Sequence, residues 1–137
     1  MSAAGLEVGQ VLAERDIHLT RASLERYAQA SGDLNPIHLR DDIAQQMGLP
    51  GVIAHGMLTM GLAIQPVIDG LGGDPRTILD YQVRFTRMIP VDAADGVDVH
   101  VTATVGAVGD PLGTRIDLTV TVDGATVLGK AQVRVAP

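Results

Sequence analysis

Apolar and polar residues alternate with a period of two along the second half of the chain. The alternation is strict over Val97–Val105 and Ile116–Val122, and it recurs over residues 131–135. A period of two places one set of side chains in a core and the other in solvent, which predicts half-buried β-strands. Thr77–Met88 predicts a further strand, and Asp123-Gly124 predicts a hairpin turn between the last two. We therefore expect four antiparallel strands in this half.

The first half of the chain predicts one strand and three helices. Val8–Leu19 has an extended pattern, and Thr20 is a suitable N-cap for a helix over Ala22–Ala30. A short helix is expected over Asp41–Met47 and a long one over Gly56–Asp69. The long helix is apolar nearly all round, so we expect it to be buried on most sides.

This order of elements indicates an α+β domain in which a curved antiparallel sheet wraps around one apolar helix. Residues 1–137 have the length of one such domain, and no linker or repeat divides them. One helix leaves part of a sheet of this size uncovered. We therefore expect a dimer in which two sheets join at their edges.

The composition narrows the classes of function. The 10 Lys and Arg residues are scattered and the net charge is −6, which argues against a general nucleic-acid-binding protein. The chain has no cysteine, which excludes disulfides and thiolate metal sites and fits a reducing cytoplasm. The first residues lack a signal-peptide pattern, and the most apolar stretch, Val52–Ile68, is interrupted by polar residues, glycines and Pro66. We expect a cytoplasmic protein without a membrane span.

Residues 31–38, Ser-Gly-Asp-Leu-Asn-Pro-Ile-His, combine a carboxylate, an amide and an imidazole in one turn-rich segment. Asp33 and His38 are candidates for a general acid–base pair, and Asn35 could hold a water or a carboxylate through its amide. The alternative is an Asx-type turn in which Asp33 and Asn35 bind their own backbone and His38 caps the next helix. The residues alone favour neither interpretation.

A second segment, Ala54-His55-Gly56-Met57, stands at the start of the long helix. The first N–H groups of a helix have no internal partner, and the helix dipole is positive there. Gly56 has no side chain, so a carbonyl oxygen can approach its N–H closely, as an oxyanion site requires. The alternative is that His55 caps the helix and Gly56 only permits close packing. Beside an acid–histidine pair, the first interpretation predicts chemistry next to a carbonyl group.

A metal site is a third interpretation of these residues. Asp33, His38 and His55 could together supply oxygen and nitrogen ligands. The sequence has neither cysteine ligands nor a His-Glu-x-x-His pattern. We therefore predict no metal ion and no other cofactor.

Taken together, these segments resemble a known family. Residues 27–44 resemble the signature of the MaoC-like, or hydratase 2, branch of the hot-dog proteins. Ala54–Leu58 resembles the helix start of that family, and Tyr81–Val91 resembles one of its strands. The likeness covers nearly the whole chain, with one small departure at Ala30, where a glycine or a larger aliphatic residue is usual. The run His55–Gly61 is similar to that of the catalytic subunits of heterodimeric (3R)-hydroxyacyl-ACP dehydratases.

The resemblance implies a hot-dog fold and reversible hydration of trans-2-enoyl thioesters to (3R)-3-hydroxyacyl thioesters. The expected role is that of a (3R)-hydroxyacyl-ACP dehydratase in fatty-acid elongation. An (R)-specific enoyl-CoA hydratase of β-oxidation or polyhydroxyalkanoate supply is the alternative. In the implied site, Asp33 and His38 are the catalytic pair that activates one water. The backbone N–H of Gly56 is the oxyanion donor, and Ser31, Asn35 and His55 are supporting residues.

The same resemblance implies an acyl-CoA or acyl-ACP substrate and a second hot-dog subunit, identical or paralogous. Met57 and Met60 are candidates for the walls of an acyl tunnel, although core packing also explains them. Arg84 and Arg87 could meet phosphates of the acyl carrier or be ordinary solvated charges. A thioesterase would usually place a carboxylate within the central helix, where Asp69 is the only one and stands at the end. A non-catalytic acyl-binding subunit would commonly lack the aspartate and histidine.

Overall fold

The structure is a computed structural model that describes residues 3–137, so residues 1 and 2 of the predicted domain lie outside the described residues. Short 3₁₀ turns cover Pro36–His38 and Pro75–Thr77. The strands and α-helices follow in this order: β1 Val11–Leu19, α1 Arg21–Ser31, α2 Asp41–Gln46, α3 Gly56–Gly70, β2 Ile78–Phe85, β3 Val97–Ala107, β4 Thr114–Val122 and β5 Ala125–Val135.

All five strands form one antiparallel sheet in the order β1-β3-β4-β5-β2, so β1 and β2 are its edges. Asp123 (φ 49°) and Gly124 (φ 78°) make the predicted turn between β4 and β5. A two-residue hairpin of this kind needs positive φ at both positions. β1 begins later than predicted, at Val11, because Gly9 has a left-handed backbone (φ 88°). The predicted α+β layout is confirmed.

Helix α1 begins at the predicted position because Thr20 caps it. The Thr20 hydroxyl accepts a hydrogen bond from the Ser23 N–H, and the Ser23 hydroxyl accepts one from the Thr20 N–H. This reciprocal pair satisfies N–H groups that a helix start leaves unbonded. At the other end, Gly32 adopts a left-handed conformation (φ 79°) and turns the chain from Ser31 into the acid–histidine segment.

Helix α3 packs on one face of the sheet and supplies the centre of the core. Its sheet-facing residues are buried, as are alternate residues of β3, β4 and β5: Ala63, Ile64, Val67 and Ile68; Val99, Val101, Ala103 and Val105; Ile116, Leu118 and Val120; Val127, Ala131, Val133 and Val135. The hydroxyl of Tyr81 donates a hydrogen bond to the carbonyl oxygen of Met60 at 2.7 Å. This bond fixes the edge strand β2 to the middle of the helix.

The expectation that α3 is buried on most sides needs correction. Met57, Gly61 and Gln65 are exposed, and Met57 is 60% accessible. Residues spaced by four lie on one face of a helix, so these three form a stripe on the side that the sheet does not cover. Among residues 3–137, no helix combines the length and hydropathy that crossing a membrane requires.

Strand β2 also ends earlier than predicted, at Phe85 rather than Met88. After Thr86 the chain leaves the sheet edge and bonds to the segment that precedes α3. The Ala54 N–H donates to the carbonyl oxygen of Ile89 at 2.9 Å, which draws this stretch toward the helix start. The end of β2 and the start of α3 are therefore neighbours.

Candidate active site

The segment 31–38 is held by side chains that bind the next backbone N–H along the chain. The Ser31 hydroxyl accepts from the Asp33 N–H at 3.1 Å, and Asp33 Oδ1 accepts from the Asn35 N–H at 3.3 Å. Asn35 Oδ1 in turn accepts from the Ile37 N–H at 3.3 Å. The Asx-type turn is therefore present. It leaves Asp33 Oδ2 without a hydrogen bond in the described part of the chain, so the turn and a chemical role for Asp33 are compatible.

His38 is buried and held in one tautomer. Its Nδ1 lies 2.8 Å from the carbonyl oxygen of Ile53, only 9% of the residue is exposed, and it closes the 3₁₀ turn that begins at Pro36. A carbonyl oxygen can only accept a hydrogen bond, so Nδ1 carries the proton and Nε2 presents a lone pair. The histidine is thus oriented as a base, and it does not cap α2, whose N-cap is Arg40.

His55 connects the acid and the histidine. Its ring stacks on His38 with centroids 4.0 Å apart, and Tyr27 contacts it edge-on at 4.8 Å. Its Nε2 donates to the backbone carbonyl oxygen of Asp33 at 3.2 Å. His55 is 1% exposed, and its Nδ1 has no hydrogen-bond partner among residues 3–137. Burial is the largest cause of a lowered pKa at His55, and it keeps this ring neutral beside His38.

Gly56 is the first residue of α3 and lies beside Phe85. The N-cap, His55, makes no side-chain cap hydrogen bond, so the N–H groups of the first turn point out of the helix end unbonded by a cap. A Cβ added at Gly56 would stand 3.0–3.2 Å from three atoms of the Phe85 ring. A side chain at Gly56 would therefore press on the Phe85 ring, and it would also hinder a ligand that approaches the N–H.

A cavity of about 310 Å³ opens at this helix start. His38, Gly56 and Thr59 line this cavity. The remaining lining residues belong to the end of β2 and the stretch after it, to β5, and to the segment before α3: Phe85, Thr86, Arg87, Met88 and Ile89; Val127 and Leu128; Ile53 and Ala54. The walls are mainly apolar with a few polar groups, as in most small-molecule sites.

The structure brings most of the predicted site residues together. Asp33, His38 and His55 each offer an atom within 4.8 Å of the other two. Met57 and Met60 do not line the cavity, because α3 turns Gly56 and Thr59 toward it instead. The motifs gave no signal for Val127 or Leu128, whose places depend on the pairing of distant strands. Phe85 lies in the segment Tyr81–Val91 that resembles a family strand, but the sequence predicted no place for it in the site.

The geometry favours proton transfer over metal binding at this cluster. Ring nitrogens bind a metal through lone pairs in the ring plane, and these must converge on one point. The rings of His38 and His55 are stacked with an interplanar angle of 26°, so their lone pairs run side by side. His38 Nδ1 and His55 Nε2 also already donate to backbone carbonyl oxygens.

One antiparallel sheet curved around a central helix is the hot-dog fold. A family model described as MaoC like domain matches residues 5–123, and this chain therefore belongs to that family. The family predicted from the sequence is confirmed.

Similar proteins agree with this assignment. A solved MaoC-like dehydratase superposes with a TM-score of 0.90 at 34% identity, over 98% of this chain and 42% of that one. R-hydratase PhaJ1 from Pseudomonas aeruginosa gives a TM-score of 0.77 at 33% identity, over 97% and 84%. The 3-hydroxyacyl-thioester dehydratase X of Mycobacterium tuberculosis is 37% identical over 83 residues, which are 61% of this chain and 28% of that protein. The chain spans between 3% and 28% of the length of the first curated relatives that it matches.

The buried neutral His55 predicts a dependence of stability on pH. Its folded pKa is lowered from 6.5, so below that pH the unfolded chain binds a proton that the folded chain does not. His55 therefore makes the free energy of unfolding fall as the pH drops below 6.5. Urea unfolding of His55→Gln should show a smaller acid-induced loss than the native chain, although the variant is less stable at neutral pH.

His100 provides a control, because its pKa is raised on folding whereas that of His55 is lowered. Hydrogen bonding to Asp16 raises its pKa, so its contribution to stability is present below 6.5 and is lost as the pH rises through the folded pKa. His100→Gln should therefore enlarge the acid-induced loss. Equal pH profiles for native chain and His55→Gln would show that His55 is not held neutral in the folded state.

Proposed function

We propose that this chain catalyses the reversible addition of water to trans-2-enoyl thioesters to give (3R)-3-hydroxyacyl thioesters. The observation that carries the proposal is the wall of the cavity, where the buried base His38 and the helix start at Gly56 lie together. Asp33 lies within reach of His38. A proton-transfer pair beside a fixed N–H donor is what addition or loss of water next to a thioester carbonyl needs.

In the proposed reaction, the thioester carbonyl oxygen accepts a hydrogen bond from the Gly56 N–H. Hydration adds the water oxygen to C3 and a proton to C2, and the Asp33–His38 pair takes one proton from the water and supplies the other. Dehydration reverses these steps, with removal of the C2 proton and protonation of the departing C3 hydroxyl. The negative charge that develops on the thioester oxygen is stabilised by the helix start.

The physiological role that we propose is dehydration of (3R)-hydroxyacyl-ACP in fatty-acid elongation, in the cytoplasm. The similarity to a named 3-hydroxyacyl-thioester dehydratase supports the dehydration direction. The similarity to a named R-hydratase supports the alternative, an (R)-specific enoyl-CoA hydratase of β-oxidation or polyhydroxyalkanoate supply. Both roles use the same site and the same steric course.

Two other classes of function receive less support. A thioesterase carboxylate on α3 could only be Asp69, which pairs with Arg15 at 2.9 Å at the far end of the helix and does not line the cavity. An acyl-binding subunit without catalysis would need neither Asp33 nor a base in the cavity, and this chain has both.

Removal of either member of the acid–base pair should abolish most activity. We expect Asp33→Asn and His38→Gln each to lower kcat on crotonyl-CoA by about 10²–10⁴-fold, the usual contribution of general acid–base catalysis. Asp98→Asn, an exposed aspartate that pairs with His18, is the matched control and should keep native activity. Loss of enoyl absorbance without thiol release identifies hydration, whereas thiol release identifies hydrolysis. Near-native turnover by a folded Asp33→Asn would refute the assignment.

Gly56 offers a test of the oxyanion donor. In Gly56→Ala the new Cβ would press on the Phe85 ring and shift the helix start. A displacement of about 1 Å at a reacting group costs about 10²-fold in rate, so we expect a loss of activity of that order. Gly61→Ala is the control, because it lies on the same helix and its Cβ would meet nothing within 4 Å. Equal activity of the two variants would remove the proposed role of Gly56.

We also propose that the active form is a dimer, with an identical or a paralogous subunit, joined through the edge strand β2. Leu79 and Phe85 on this strand are 56% and 55% exposed, and an unpaired edge with apolar side chains is a site for strand pairing. For a homodimer, sedimentation should give twice the 14.3 kDa mass of one chain. For a heterodimer, the chain alone should sediment as a monomer and should gain activity when its paralogue is added. A monomer that is fully active alone would contradict the dimer.

A further inference from the structure

Thr59 is a buried polar residue that lies between two separate spaces beneath helix α3. Only 4% of the residue is exposed. It lines the active-site cavity together with His38 and Gly56, and it also lines a second, narrower gap in the core. Among residues 3–137, Thr59 alone borders both spaces, so its side chain is the partition between them.

The two spaces lie under different parts of the sheet. The cavity is bounded by β5 and by the end of β2, whereas the gap is bounded by β1 and β3. The gap is too narrow to hold a water molecule, and all its other lining residues are apolar: Ile17, Leu19, Leu62, Ala63 and Val99. Apolar spaces inside proteins stay dry. A hydrocarbon chain that extended into the gap would therefore displace no bound water.

Helix geometry holds Thr59 in this position. Residues spaced by three and four lie on one face of a helix, which turns Gly56, Thr59 and Ala63 toward the sheet. The Thr59 hydroxyl donates a hydrogen bond to the carbonyl oxygen of His55, one turn back, at 3.4 Å. This bond gives the hydroxyl a partner in apolar surroundings, and branching at Cβ restricts the side chain to few rotamers. The partition is therefore held in place by the helix itself.

The small size of the cavity makes the partition important. A volume of about 310 Å³ is at the lower end of the range of about 300–1,000 Å³ that is typical of small-molecule sites. In the proposed reaction, the thioester group and the carbons that react with water occupy the part beside His38 and Gly56. Little of the cavity then remains for the rest of the acyl chain.

We propose that Thr59 restricts the substrate to short acyl groups such as crotonyl, because its side chain closes the cavity on the side of the gap. Truncation of this side chain joins the two spaces, and a longer acyl chain then has an apolar path beneath α3 in which burial of each added methylene is favourable. The inference rests on the proposed function, because it names the acyl length of that substrate.

The test compares trans-2-octenoyl-CoA with crotonyl-CoA. We expect Thr59→Ala to raise the ratio of kcat/KM on octenoyl-CoA to kcat/KM on crotonyl-CoA by about tenfold or more, since one methylene in an apolar pocket changes specificity about 10–200-fold. Thr59→Val keeps the shape of the side chain and removes the hydroxyl, so it should leave the ratio unchanged. Leu62→Ala is the matched control: it widens the gap but keeps the partition, so the ratio should again stay native.

Thr59→Ser removes one methyl group and keeps the hydroxyl, so it should give an intermediate ratio, and it decides the question if Thr59→Ala does not fold. An unchanged ratio in the folded variant would overturn the inference. An equal rise in Thr59→Val or Leu62→Ala, or a native chain that prefers octenoyl-CoA, would do the same. Each of these outcomes leaves the proposed function standing, whereas a native chain inactive on enoyl thioesters of every length would refute the proposed function itself.

Discussion

The hydrogen bond between His38 Nδ1 and the carbonyl oxygen of Ile53 joins two segments that are otherwise separate in the chain. It is reinforced by the backbone bond from the Ile53 N–H to the Ile37 carbonyl oxygen at 3.2 Å. The next residue, Ala54, bonds to Ile89 on the other side. Residues 52–54 are therefore held between the acid–histidine segment and the stretch after β2. The tautomer of His38, the position of the α3 start and the cavity wall all depend on this connection.

The stacked pair of His38 and His55 adds an electrostatic constraint. Two positively charged rings with centroids 4.0 Å apart would repel each other, and burial disfavours charge on His55 in particular. The His55 ring also donates through Nε2 to the backbone carbonyl oxygen of Asp33, so it fixes the backbone of the acid–histidine segment at that residue.

Local features of the structure could be predicted from the sequence because short-range chemistry determines them. Thr20 caps α1, Gly32 ends it, and a period of two gives the strands. The two interpretations of Asp33 turned out to be compatible, since one carboxylate oxygen makes the turn and the other stays free. No local signal could have resolved that question.

Other features depend on contacts between residues far apart in the sequence. Val127 and Leu128 enter the cavity wall only because β5 pairs with β2. Strand β2 ends early because the chain after it bonds to the segment before α3. The exposed stripe of α3 lies on the side of the helix that the sheet does not cover. A helix that is apolar all round predicts burial, but it does not say whether the same chain or a partner provides the cover.

Gly56 stands where the packing of the Phe85 ring and access to the helix start both favour a residue without a side chain. Its missing side chain admits the Phe85 ring, and the ring closes one side of the cavity in front of the helix start. A side chain at Gly56 would both open that wall and block the approach to the N–H. The helix start, the mainly apolar wall and the His38 ring therefore meet at one end of the cavity. A hydrogen-bond donor is electrostatically stronger beside apolar walls than in bulk water, so the position of Gly56 favours a ligand oxygen that carries partial negative charge.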